Sequence, residues 1–94
     1  MTEPIFEWDK AKAAANYAKH GVSFGFAMLA FDDPFAIVRH DDEHGYDEER
    51  FILIGMAQYD VLFVAYTERE DRIRLISARR ATRQEHDDYV RQIP

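Results

Sequence analysis

The sequence predicts an α+β domain: two helices, an antiparallel meander of strands, and a closing helix. Three observations carry that expectation. Ala11 to Lys19 is an alanine-rich run bounded by Asp9 and Gly21, residue types that start and stop helices. Phe51–Ala57 and Val61–Thr67 are apolar runs of strand length, joined by Gln58-Tyr59-Asp60, a connection too short for a parallel crossover. Arg72 to Ala78 alternates at period 2 and runs into Thr82 and Glu85, which have capping-box spacing. The expected elements are helices near 9–20 and 23–31, strands near 35–40, 50–57, 61–68 and 72–79, and a helix from about 83 onward.

Taken in order, Asp9 is the N-cap candidate of the first helix. Its stripe of Trp8, Ala11, Ala15 and Ala18 reads as a small-residue packing face, and Lys12, Asn16 and Lys19 or His20 as a polar face. Ser23 is placed to cap a second helix from Phe24 to about Phe31, apolar on nearly every side and therefore in need of cover. Asp32-Asp33-Pro34 ends it, because proline disfavours helical geometry at the residue before it. Phe35 to Arg39 reads as a short strand at a sheet edge. Asp41 to Glu49 holds six acids and one glycine in nine residues, the composition of a mobile loop. The two central strands are apolar on both faces, so the N-terminal helices should cover one face. The last helix places His86, Tyr89, Val90 and Ile93 on one stripe.

With 94 residues, 47% hydrophobic and 32% charged, the chain reads as a single domain over residues 1–94 with one modest core. No cysteine is present to form disulfides or zinc-thiolate sites. No apolar run spans a bilayer and Met1 to Trp8 is no signal peptide, so a cytoplasmic protein with no membrane association is expected. A net charge of −6 argues against binding nucleic acid through the bulk field. The cations are nevertheless clustered: six of the twelve Lys and Arg residues lie between Arg69 and Arg83. A positive site can stand on an acidic body.

Within that cluster Arg79, Arg80 and Arg83 fall where a strand stops and a helix starts, suited to clamping a phosphate with guanidinium forks and a helix N-terminus. The alternative is a solvated strand end paired with Glu68, Asp71 or Glu85. Arg72 and Arg74 read as a polar strand face. Lys19-His20-Gly21 is either a helix end stabilised by cations or a source of acid–base chemistry, since imidazole titrates near neutrality. His40, Asp42 and His44 are close in sequence, but no fourth ligand is fixed, and no metal site is assigned. Tyr66 reads as a packing residue with a polar tip. No glycine-rich phosphate loop, nucleophile elbow or His-Glu-x-x-His helix is present, and no cofactor is expected.

Together, F-E-W-D at Phe6 to Asp9, K-H-G-V-S-F at Lys19 to Phe24, F-D-D-P at Phe31 to Pro34, E-R-F-I-L-I-G at Glu49 to Gly55, and R-L-I-S-A-R-R-A-T at Arg74 to Thr82 resemble the BrnT family of type II toxin–antitoxin modules. The resemblance covers almost the whole chain in the same order. It implies a RelE-like fold with two N-terminal helices, a four-stranded antiparallel sheet and a C-terminal helix. It also implies a ribonuclease that arrests translation and is neutralised by a BrnA-type ribbon-helix-helix antitoxin, in a heterotetramer built on an antitoxin dimer that alone contacts operator DNA. The positions matching its motifs are Lys19, His20, Arg50, Arg79 and Arg80. A metal-free ribonuclease needs proton-transfer groups, for which Lys19, His20 and Tyr66 are candidates, and cations on the phosphate, for which Arg50, Arg74, Arg79, Arg80 and Arg83 are. The chain departs from the usual basic toxin in its pI near 5.1. The competing reading is a non-catalytic module that completes a repressor complex.

Overall fold

A computed structural model of the chain describes residues 3–41 and 48–94. Its elements are β1 (Ile5–Glu7), α1 (Lys10–His20), α2 (Phe24–Ala27) running on into a 3₁₀ turn (Met28–Asp32), β2 (Ile37–Asp41), β3 (Arg50–Ala57), β4 (Asp60–Arg69), β5 (Arg72–Arg80) and α3 (Arg83–Arg91). The sheet order is β1-β5-β4-β3-β2. The α+β class and the meander β2 to β5 agree with expectation, and β2 lies at an edge.

The expected four-stranded antiparallel sheet needs correction: the described residues form five strands, and β1 pairs in parallel with β5, Phe6 opposite Ile73. Three residues are too few to show a period, and the partner lies near the other end of the chain. Side chains hold β1 in place. Glu7 accepts from Arg74 at 2.9 Å and Arg72 at 3.3 Å, and the Phe6 ring meets Phe31 edge-on with centroids 5.0 Å apart. The second helix is also shorter than expected. From Met28 it tightens into a 3₁₀ turn, in which residues three apart eclipse, and Ala27 and Ala30 both point inward at 0% exposure. Its backbone lies so close to β3 that a Cβ on Gly55 would stand 2.9 Å from the Ala30 carbonyl.

The packing face of α1 is not the alanine stripe. Ala11, Ala15 and Ala18 are exposed, while Ala13, Asn16 and His20 lie on the covered side. The cause is the edge of β5. Beyond Arg74 no strand among the described residues pairs with that edge, and the Asn16 amide takes the place of one: its Nδ2 donates to the Ala78 carbonyl at 2.8 Å and the Val22 carbonyl at 3.0 Å, and its Oδ1 accepts from the Ala78 N–H at 3.1 Å. Gly21, with φ of 70°, closes the helix and donates to Tyr17.

Two apolar layers sandwich the sheet. On the helix-covered face, Leu53, Leu62, Val64, Tyr66, Leu75 and Ala78 pack with Val22, Phe24, Ala27 and Ala30. On the other, Ile52, Ile54, Val61 and Ala65 pack with Tyr89 of α3, with Phe63 and Ile76 against them. α3 begins with a capping box between Thr82 and Glu85. It is latched by the Tyr89 hydroxyl, which donates to Asp33, and by Gln92, whose amide donates to the Phe35 carbonyl at 2.6 Å. The acidic loop expected to be mobile falls mostly at 42–47, outside the described residues.

Candidate functional site

Where Arg79 and Arg80 point is decided by one irregularity in β5. Unbroken alternation from Ile73 and Leu75 would put Ser77 and Arg79 on the helix-covered face. Instead Tyr66 pairs with Leu75 and Ala65 with Ser77, so Ile76 is an extra residue in the ladder. This bulge reverses the phase. Ala78 turns to the helices, and Arg79, opposite Phe63, turns to the α3 face. Arg80, opposite Leu62, returns to the helix side. Neighbours in sequence, the two arginines stand on opposite faces of the sheet.

Arg79 is tightly held. Its guanidinium lies 4.0 Å from the centre of the Phe63 ring and forks onto Glu85 at 2.8 and 3.0 Å. Burial pushes the Glu85 carboxyl up, but the bonds from Arg79 and from the Thr82 N–H outweigh it and hold Glu85 below the usual glutamate range. The same face carries Arg50 and Arg74, which share a row of the register with Thr67 between them. Arg74 is bonded to Glu7, whose carboxyl is held below its ordinary value by Arg74 and then Arg72. Arg50 stands opposite Asp41. Glu7 is the partner that sequence reasoning missed. Glu85 is among the three acids that the sequence offers as partners of the cluster, and it is the one that holds Arg79 while also serving in the capping box.

Lys19, His20 and Arg80 belong to the other side. α1 begins near the Glu7–Arg74 pairing and reaches Ala78 at Asn16, so it runs along β5 in the same direction. One further turn ends the helix with Lys19, which is exposed, and His20, on the covered stripe, on the side of the sheet to which Arg80 also turns. Arg80 is largely open, with its Nη2 3.7 Å from Asp60. Arg83, at the start of α3, is almost fully exposed and only 3.9 Å from Asp87. The paired-strand-end alternative for the cluster thus applies to Arg79, through Glu85, far more than to Arg80 or Arg83.

Tyr66 is placed apart from both groups. It is 5% exposed, its ring stacked on Phe51 at 5.6 Å and edge-on to Phe31 at 5.1 Å, and burial followed by the Glu68 charge raises its pKa. Asp42 and His44 lie outside the described residues, so the His40, Asp42, His44 grouping has no described geometry. Among the described residues, no group of three or more His, Asp or Glu side chains is placed to hold a metal ion. No described helix is long and apolar enough to cross a membrane.

These features define a small α+β domain whose cations converge on a sheet and its rim, an arrangement suited to phosphate. The chain belongs to the BrnT family, the ribonuclease toxins of type II toxin–antitoxin systems, whose family model matches residues 8–85. That span takes in everything from the end of β1 to the first turn of α3. No curated protein matches the chain. It is thus a member of a ribonuclease toxin family, and a type II system supplies such a toxin with an antitoxin.

Proposed function

We propose that the protein is a cytoplasmic, metal-independent endoribonuclease that arrests translation, and that a BrnA-type ribbon-helix-helix antitoxin neutralises it. The observation that supports this chemistry is the course of α1 along β5, past Ala78 and toward the strand end that carries Arg80. An imidazole, an ammonium and a guanidinium supply the proton transfers and the charge stabilisation that cleavage by the 2′-hydroxyl requires. In this reading His20 takes the 2′-hydroxyl proton, and O2′ attacks phosphorus. Arg80 stabilises the charge that grows on the non-bridging oxygens, and Lys19 protonates the departing 5′-oxygen. Arg83, at the corner between β5 and α3, and Arg79, Arg74 and Arg50, on the opposite face, receive flanking phosphates.

The antitoxin is supported by the family and by the arginine cluster, which an acidic segment would occlude.

The test is the chemistry of the ends. Purified protein incubated with RNA in a chelator should leave 2′,3′-cyclic phosphate or 3′-phosphate on the upstream fragment. A 3′-hydroxyl made only with added Mg²⁺ would overturn the mechanism. Co-expression with the product of the adjacent gene should yield a complex that survives purification; a toxin that remains free beside it would remove the antitoxin assignment.

A further inference from the structure

The α3 face of the sheet carries one arginine that neither the family motifs nor the sequence cluster singles out. Arg39 on β2 pairs with Ile52, and Ile37 and Asp41 on the same strand pair with Ile54 and Arg50. Ile52 and Ile54 belong to the apolar layer under Tyr89, so Arg39 shares the face of Arg50, Arg74 and Arg79. These four arginines come from three strands and surround the floor of Ile52, Ala65, Phe63 and Ile76. They differ in how they are held. Glu7 takes Arg74, Glu85 takes Arg79, and Arg50 is engaged as well. Arg39 is exposed and has no ion pair or hydrogen bond from its side chain among the described residues. A carboxylate already neutralises Arg74 and Arg79, so a phosphate arriving there competes with an internal partner. At Arg39 no carboxylate among the described residues is bonded to the guanidinium, so none of them has to be displaced.

We propose that Arg39 binds a backbone phosphate of the RNA, at a subsite across the sheet from Arg79 and remote from the cleaved bond. Three strand spacings separate β5 from β2, so the two positions are about 15 Å apart across the sheet. A dinucleotide held at the His20 rim does not reach Arg39, whereas a longer strand passing over the β5–α3 corner and along this face does. Arg39 therefore contributes to the affinity for long single strands and not to the chemical step. The inference rests on the ribonuclease reading for its ligand, but its test is independent of cleavage.

Binding of a non-cleavable 2′-O-methyl RNA of about a dozen nucleotides is measured by fluorescence anisotropy across a salt series for the wild-type chain, Arg39→Ala, Arg39→Lys and Lys12→Ala, the last altering an exposed cation on α1. Loss of one phosphate contact on a single strand makes the slope of log affinity against log salt shallower by about 0.7. Arg39→Ala should show that change with a severalfold weaker Kd, Arg39→Lys should recover most of it, and Lys12→Ala should match the wild type. On a dinucleotide substrate, Arg39→Ala should turn over like the wild type. An unchanged slope in Arg39→Ala, an equal effect from Lys12→Ala, or an equal loss on the dinucleotide would each overturn the subsite. If the wild type binds with this pattern but cleaves no RNA, the catalytic reading fails and the subsite stands.

Discussion

Asn16 shows how much one side chain decides. Its amide makes three hydrogen bonds, two to Ala78 and one to Val22, in a site where it is 8% exposed. Asn16→Leu removes all three and leaves the Ala78 N–H and carbonyl without partners, at a cost of about 2–4 kcal/mol. A drop in the denaturant midpoint at constant slope is the expected result. A near-neutral change would mean that α1 is not hung on this residue. Tyr66, in contrast, is held by rings rather than by chemistry, so Tyr66→Phe should preserve both the melting temperature and growth arrest on induction. Loss of arrest with a folded protein would return the phenol to the mechanism. The arginines divide by surroundings: Arg80→Ala and His20→Ala should each lower cleavage about a hundredfold with little change in stability, whereas Arg72→Ala, trimming a side chain already shared with Glu7, should leave activity near wild type.

α3 is an element whose hold on the sheet can be titrated. Tyr89 is 2% exposed and donates to Asp33, and burial first and then Asp33 push its pKa up to about 12. A group whose folded pKa is raised stabilises the fold fully below its unfolded pKa, here the ordinary tyrosine value of 10.0, and loses that contribution as pH rises toward 12. Thermal stability should therefore fall between about pH 10 and 12, and the fall should flatten in Tyr89→Phe. Identical alkaline profiles for the two proteins would remove Tyr89 as the cause. At the other end of the helix Glu85 has the opposite sign. Its carboxyl is held below the usual range, so the stability it gives is present above its unfolded pKa and is lost as pH falls into the acid range. Thr82→Ala breaks half of the capping box and should cost about 1 kcal/mol in denaturant melts.

Across the whole molecule the balance of charge is acidic, −6, yet the arginines lie on two sides of one corner. Under the proposed function, association with RNA would depend on contacts at short range, because the far field opposes it. Cleavage under subsaturating RNA should fall with added salt, and Arg79→Ala should flatten that fall while sparing turnover at saturation. If Arg79→Ala instead lowers turnover at saturation as much as Arg80→Ala does, the chemistry is on the α3 face and the two surfaces do not divide the roles in this way. The sheet makes the division possible: adjacent residues on a strand face opposite ways, so a pair of arginines in sequence serves two surfaces.

By itself the sequence determined the α+β class, the meander and its edge strand, the caps at Asp9, Ser23 and Thr82, and the region that gathers cations, because each follows from local propensity, spacing or composition. Its motifs also pointed to the family. Tertiary structure alone decided the fifth strand, since the pairing of Ile5–Glu7 with Arg72–Arg74 joins residues from opposite ends of the chain. It decided that α1 packs through Asn16, because the value of an asparagine there depends on an unpaired strand edge that no local pattern reveals. It also decided the faces of Arg79 and Arg80, because a bulge at Ile76 shifts every later side chain by half a period, and a bulge is set by the partner strand.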